Sequence, residues 1–184
     1  MISEEYKKEM KNLHKNRENF GRGVRIPDEV IRCIEAYDVK SILDFGCGKG
    51  TVVEKIIETY PHIKVFGYDP GHETYNTLPD KVDMIFSEDV LEHIEPDKLD
   101  ETLVDLANRC GKVMYHLIAC HLSKKQLSDG RNAHLIVEPP EWWEKKLEDV
   151  LGLDMYNKRV IDRVTQPKKG PEIRIIKYGV TIKK

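Results

Sequence analysis

One short stretch constrains this chain more than any other: an apolar run that ends directly on three closely spaced glycines. Ile42-Leu43-Asp44-Phe45 stops at Gly46-Cys47-Gly48-Lys49-Gly50, after which Val52, Val53, Ile56, Ile57 and Tyr60 recur at helical spacing. A run of four apolar or β-forming residues reads as a buried strand, and the later period reads as an amphipathic helix. The order strand, glycine turn, helix is the opening of a parallel α/β unit, because the helix carries the chain back for a second parallel strand.

The remainder repeats that alternation. Residues 63–68 and 82–86 read as two more strands bounded by turn formers, with Asp69-Pro70-Gly71 ending the first. Pro96 opens a helix carrying Leu99, Leu103 and Leu106, and residues 112–118 are rich in strand formers. Pro139-Pro140 opens a helix with Trp142, Trp143 and Leu147, and Arg159 to Val164 with Ile173 to Ile182 read as a closing hairpin. An earlier helix begins at Ile26-Pro27-Asp28. The expected fold is therefore α/β: a doubly wound, Rossmann-like, mainly parallel sheet with a C-terminal antiparallel hairpin. No repeat, low-complexity tract or linker divides the chain, so its 184 residues are expected to form one domain.

Composition narrows the function classes. With 30 Lys plus Arg against 32 Asp plus Glu the net charge is −2, so no global charge draws the chain to nucleic acid or to an anionic membrane. Residues 1–25 are locally basic, through Lys7, Lys8, Lys11, Lys15 and Arg17, and are expected to form a helix or arm. A solvated charged helix is the favoured reading of that segment; a lid or a nucleic-acid arm are the alternatives. No apolar run approaches the ~20 residues that span a bilayer, and Met1-Ile2-Ser3-Glu4-Glu5 lacks a signal-peptide pattern, so a cytoplasmic location is expected. The four cysteines are scattered without a C-x-x-C pair, which favours reduced thiols. His116, Cys120 and His121 lack a completing carboxylate, and no metal is expected from them.

Ligands of such sheets bind beyond the carboxyl ends of the strands, which directs attention to the glycine turn, Asp69 and the stretch after Phe86. Glycines at 46, 48 and 50 let backbone approach a ligand where a Cβ would intrude. Asp69 follows the last of them by 69 − 50 = 19 residues, at the end of the next strand, where a carboxylate accepts ribose hydroxyls. A dinucleotide fingerprint would need glycine at position 51, which is Thr51. The bland alternative is a tight turn in which Asp69 caps Pro70 and Gly71.

At these residues the sequence resembles the class I S-adenosylmethionine-dependent methyltransferases. Residues 42–50 are similar to their first motif, Gly67-Tyr68-Asp69 to their second, and Phe86-Ser87-Glu88-Asp89-Val90-Leu91-Glu92-His93-Ile94 to the segment after the fourth strand of the small-molecule subgroup. The stretches Asp129-Gly130-Arg131-Asn132-Ala133-His134-Leu135 and Glu141-Trp142-Trp143 resemble short bacterial and phage methyltransferase-like proteins. The resemblance implies S-adenosyl-L-methionine as cofactor and S-adenosyl-L-homocysteine as product. It implies that Asp44, Gly46, Cys47, Gly48 and Gly50 surround the amino acid end, that Asp69 and Pro70 meet the ribose, and that Ser87, Glu88 and Asp89 flank the sulfur. One departure stands out: only 83 − 69 = 14 residues separate Asp69 from Asp83, so the usual third strand is missing, with a short helix near Tyr75 as the most that fits. The acidic residue the family sets against adenine is lost with it, and Glu88 or Asp89 are the substitutes available.

Methyl transfer asks the protein chiefly to align a nucleophile and, where needed, to remove its proton. His93 and His134 are the candidate bases, because imidazole titrates near neutral pH. Arg131 is a candidate for an anionic acceptor, and Trp142 for the acceptor wall. The expected activity is O- or N-methylation of a small-molecule acceptor. The competitors are a non-catalytic or regulatory binding protein of the same fold, and a nucleic-acid methyltransferase, the last disfavoured by the absence of Asn-Pro-Pro-Tyr and Pro-Cys motifs.

Overall fold

The computed structural model describes residues 3–16, 23–165 and 172–184; Arg17 of the expected basic arm and the hairpin turn at 166–171 lie outside them. Helices α1 (Glu4–Asn16) and α2 (Asp28–Ala36) precede strand β1 (Ser41–Phe45), α3 (Thr51–Thr59), β2 (Lys64–Tyr68) and β3 (Val82–Glu88). Two single 3-10 turns lead into α4 (Leu99–Arg109) and β4 (Cys110–Ala119), followed by α5 (Pro140–Leu151), β5 (Met155–Thr165) and β6 (Ile173–Lys183). The six strands lie in the order β2-β1-β3-β4-β6-β5; the first four are parallel and β6 runs antiparallel to both β4 and β5.

The central strands read as unbroken apolar runs because both of their faces are covered. Leu43, Ile85 and Met114 point to the side of α4 and α5, where Leu103, Trp143 and Leu147 are buried. Their neighbours Ile42, Met84 and Val113 point the other way, onto Val30, Ile34 and Ile56 of α2 and α3. The period-two alternation of each strand thus divides one apolar sequence between two cores.

The third strand is absent, as the spacing predicts. Residues 69–81 cross from β2 to β3 as turns and bends without the short helix expected near Tyr75, and β2 is left at the sheet edge. Tyr75 instead braces the glycine turn. Its ring stands against Gly50, where an added Cβ would lie 2.3 Å from ring carbon, and its carbonyl accepts from the Asp69 amide at 2.6 Å.

Helix α1 is more than a solvated charged helix. Tyr6 and Met10 are 2% and 7% exposed and pack on Leu127 and Ala133. Full burial of such side chains contributes roughly 1.5–3 kcal/mol each. The Glu95 carboxylate accepts from the Ser3 amide (2.6 Å) and hydroxyl (2.7 Å), and the Glu9 carboxylate accepts from the Ser128 amide (2.9 Å) and hydroxyl (2.6 Å). Those bonds clamp α1 over the carboxyl ends of the strands.

Candidate functional site

Beyond those strand ends lies a cavity of about 730 Å³, within the usual range for a cofactor site. Asp44, Gly46, Gly48, Asp69, Glu88 and Asp89 form one part of its wall, and His93, His121 and His134 another. Tyr6 and Met10 of α1 complete the enclosure.

The glycine turn explains itself locally. Gly46, Gly48 and Gly50 have φ of +85°, +55° and +75°, values that side chains other than glycine's rarely adopt. A Cβ at Gly46 would fall 2.3 Å from a Val90 methyl, so this glycine is required by packing across to the segment after β3. The Gly46 and Cys47 amides both donate to the Tyr68 carbonyl, at 2.7 and 3.0 Å, and the Gly48 amide donates to Asp69 Oδ2 at 3.1 Å. Asp69 Oδ1 accepts from the Gly71 amide at 2.8 Å. The capping role foreseen as the bland alternative is therefore real. The Asp69 carboxylate stands at the cavity wall at the end of β2.

Electrostatically this end is overloaded with negative charge. Burial, together with Glu88 and Asp69, pushes the Asp44 carboxyl up to about 8. Burial and the neighbouring Asp89 raise Glu88 as well, against the lowering effect of Lys177. A wall of enclosed carboxylates that suppress one another's ionisation favours a ligand carrying positive charge. S-adenosylmethionine carries two such charges, an ammonium and a sulfonium, so the residues present fit it.

The histidine end is built by backbone wiring. The 3-10 turn Leu91–His93 follows β3, and the carbonyl of Glu92 accepts from the Leu135 and Ile136 amides at 2.8 and 3.0 Å, which draws the segment after residue 130 over the turn. Asn132 stiffens that segment: its Oδ1 accepts from the Ser123 and His134 amides and its Nδ2 donates to the Ser123 carbonyl. His93 and His134 consequently meet edge to face, with ring centroids 4.8 Å apart. Burial pulls the His93 imidazole down to about 4 and lowers that of His134, so both are neutral at pH 7. A rim of Arg25, Lys124, Lys125, Arg163 and Lys177 adds positive groups to the same cavity.

Of the residues expected from sequence, Asp44, Gly46, Cys47, Gly48, Asp69, Pro70, Glu88, Asp89, His93 and His134 all line this cavity. Four others do not, among the described residues. Gly50 is turned to Tyr75 and starts α3. Ser87 is fully buried beneath the site, its hydroxyl 2.8 Å from Nδ1 of His116. Arg131 is held at the loop tip by Asp129 at 2.6 Å. Trp142 packs against Trp143 and under Lys146 on the outer side of α5, since the buried position of that pair went to Trp143. Glu88 and Asp89 lie across β1 from Asp69, and Asp89 is paired with Lys177 at 2.5 Å. Sequence reasoning did not single out His121 or the basic rim for the site, and held α1 over it only as the lid alternative. Only the apolar pair Tyr6 and Met10, one helical turn apart, carried a readable signal.

Residues 14–150 match the methyltransferase-domain family. The chain belongs to that family. Its fold is that of the class I S-adenosylmethionine-dependent methyltransferases, and S-adenosylmethionine is the cofactor. Among solved structures it is similar to the 1,6-didemethyltoxoflavin N1-methyltransferase of Burkholderia thailandensis, which was solved with 1,6-didemethyltoxoflavin and S-adenosylhomocysteine bound (TM-score 0.65, 14% identity, covering 100% of this chain and 91% of that one). It is also similar to an S-adenosylmethionine-dependent methyltransferase of Methanosarcina mazei (0.60, 13%, 88% and 99%) and to a methyltransferase-like protein of Bacillus halodurans (0.58, 10%, 85% and 99%). No curated protein matches the sequence. No helix among the described residues is long and apolar enough to cross a membrane.

Proposed function

We propose that this methyltransferase is catalytically active and methylates an oxygen or nitrogen of a small acceptor that carries negative charge. The observation behind this reading is that one enclosed cavity has acidic groups at one end, two neutral imidazoles at the other, and a basic rim. When bound, the cofactor supplies a methyl group already activated by its sulfonium. Asp69, at the cavity wall, meets the ribose hydroxyls. Asp44 and Glu88 balance the cationic end, and His93 and His134 stand at the acceptor end of the cavity. Lys124, Lys125 and Arg163 draw an anionic acceptor to the mouth. Tyr6 and Met10 exclude water from above.

Calorimetry with S-adenosylhomocysteine tests the cofactor half of this reading. Binding should occur, and Asp69→Ala and Gly48→Val should each weaken it about 100-fold, as expected for loss of charge-assisted hydrogen bonds or distortion of the turn. Melting curves verify that both variants fold. Labelled methyl transfer from S-adenosylmethionine into an anionic metabolite library tests the acceptor half. Cofactor binding without any labelled product would favour the non-catalytic alternative.

A further inference from the structure

The methyltransferase reading leaves unexplained a carboxylate buried directly beneath the two histidines. Glu92 is 0% exposed, and neither of its carboxylate oxygens has a hydrogen-bond partner among the described residues. An enclosed carboxyl in that state is stable only as the neutral acid or against a cation. His134 Nε2 stands 3.9 Å from Glu92 Oε1, and one ligand atom each from Glu92, His93 and His134 lie within 4.8 Å of one another. We propose that Glu92, His93 and His134 form a two-histidine, one-carboxylate site for a divalent first-row transition ion, open on the side of the cavity.

Three features of the geometry support the site. First, the tautomers are fixed in the form that ligation requires. His93 Nδ1 lies 2.6 Å from the Ala133 carbonyl and His134 Nδ1 lies 2.5 Å from the His121 carbonyl. A carbonyl only accepts, so each Nδ1 carries the proton, and His134 Nε2, the atom that faces Glu92, keeps a lone pair. Anchoring the far ring nitrogen on a backbone carbonyl is the usual support of a metal-binding imidazole. Second, metal bonds to imidazole nitrogen and carboxylate oxygen run about 2.0–2.2 Å, so an ion fits between atoms 3.9 Å apart. Third, Glu92 and His134 are brought together by main-chain bonds from Leu135 and Ile136 to the Glu92 carbonyl, so the cluster is assembled before any ion arrives. Two imidazoles and one carboxylate suit borderline ions such as Mn2+, Co2+ and Zn2+ better than Ca2+ or Mg2+.

His93 and His134 both line the cavity, so the vacant positions of such an ion face the space assigned above to the acceptor. An acceptor hydroxyl bound there would give up its proton to solvent more readily. Its oxygen then bonds to the methyl carbon as the carbon–sulfur bond breaks, with that electron pair left on sulfur as a neutral thioether. This use of the ion rests on the methyl-transfer reading, whereas ion binding itself does not.

Chelator-treated protein titrated with Co2+ should develop visible ligand-field bands that saturate at one ion per chain and are abolished by competing Zn2+. Glu92→Gln and His134→Gln should each weaken Co2+ binding at least 100-fold, while His62→Gln, an exposed histidine elsewhere, leaves it within twofold. Should Glu92→Gln fail to fold by circular dichroism, His93→Gln serves in its place. Asp69→Ala, which should remove S-adenosylhomocysteine binding, should leave the Co2+ titration unchanged, so loss of the cofactor reading and loss of the metal reading are separable. The absence of saturable bands, or bands that persist in folded Glu92→Gln and His134→Gln, overturns the site.

Discussion

The two ends of the cavity solve opposite problems. The glycine-turn end packs Asp44, Asp69 and Glu88 together and holds Asp44 up at about 8, so its ionised form waits for a cation. The histidine end does the reverse: burial keeps His93 and His134 neutral and holds them by backbone carbonyls. The glycine turn within the first end is one contiguous motif, although Glu88 joins it from β3, 88 − 44 = 44 residues beyond Asp44; the two histidines of the other end lie 134 − 93 = 41 residues apart, with no such motif between them. The lesson is that the cofactor end is electrostatically primed, whereas the reactive end is geometrically primed.

Asp44→Asn separates these two kinds of preparation and should have the largest effect among the variants that compare the two ends. Removing the charge that meets the cofactor's ammonium should weaken S-adenosylhomocysteine at least 30-fold at pH 7, consistent with the roughly 2–5 kcal/mol lost when one partner of a buried charge pair is removed. The free protein should respond oppositely. A carboxyl whose folded value is raised above its unfolded one costs stability progressively as pH rises from about 4 to about 8, so Asn should raise Tm at pH 9 by roughly 5 °C. In the wild type, cofactor binding at pH 7 should release a proton from Asp44. Affinity should therefore climb from pH 6 toward about 8, as less work is needed to ionise Asp44. Calorimetry in buffers of different ionisation enthalpy checks the proton, and a pH-independent affinity would break the contrast.

A smaller effect is expected where α1 closes over both ends. Ser3→Ala and Glu9→Gln remove hydrogen bonds that clamp the helix to Glu95 and Ser128 without touching the carboxylates or imidazoles of the cavity. Surface plasmon resonance should show S-adenosylhomocysteine leaving about three- to tenfold faster, with association little changed, as for a loosened lid. The smallest effects are expected at the two positions that the loop and α5 direct elsewhere. Arg131→Ala and Trp142→Ala should leave cofactor affinity and acceptor KM within twofold, and a larger change in KM would return the acceptor to that side of the molecule.

The fold and the cofactor end were legible because their causes are local. A buried strand, a turn needing positive φ at glycines and a carboxylate at the next strand's end each follow from residues a few positions apart, and the 14-residue gap after Asp69 foretold the missing strand. The turn's glycines nevertheless divide their duties in a way no spacing reveals: Gly46 and Gly50 answer to Val90 and Tyr75, and Gly48 sits beside Asp69 at the cavity. Arg131 and Trp142 lie away from the cavity for a related reason. A loop arginine is claimed by the first carboxylate within reach, here Asp129, and only packing decides which of two adjacent tryptophans goes inward.

By itself, the amino-acid sequence determined the strand–turn–helix order, the two-sided burial of the sheet and the carboxylate at position 69, because periodicity and backbone conformational preference act over a few residues. Only the tertiary structure decided that Glu92 is buried beside His93 and His134, that α1 roofs the cavity and that Lys177 answers Asp89. Those relations depend on hydrogen bonds, burial and charge between segments distant in the chain, and such energies are set only once the sheet has brought the strand ends together.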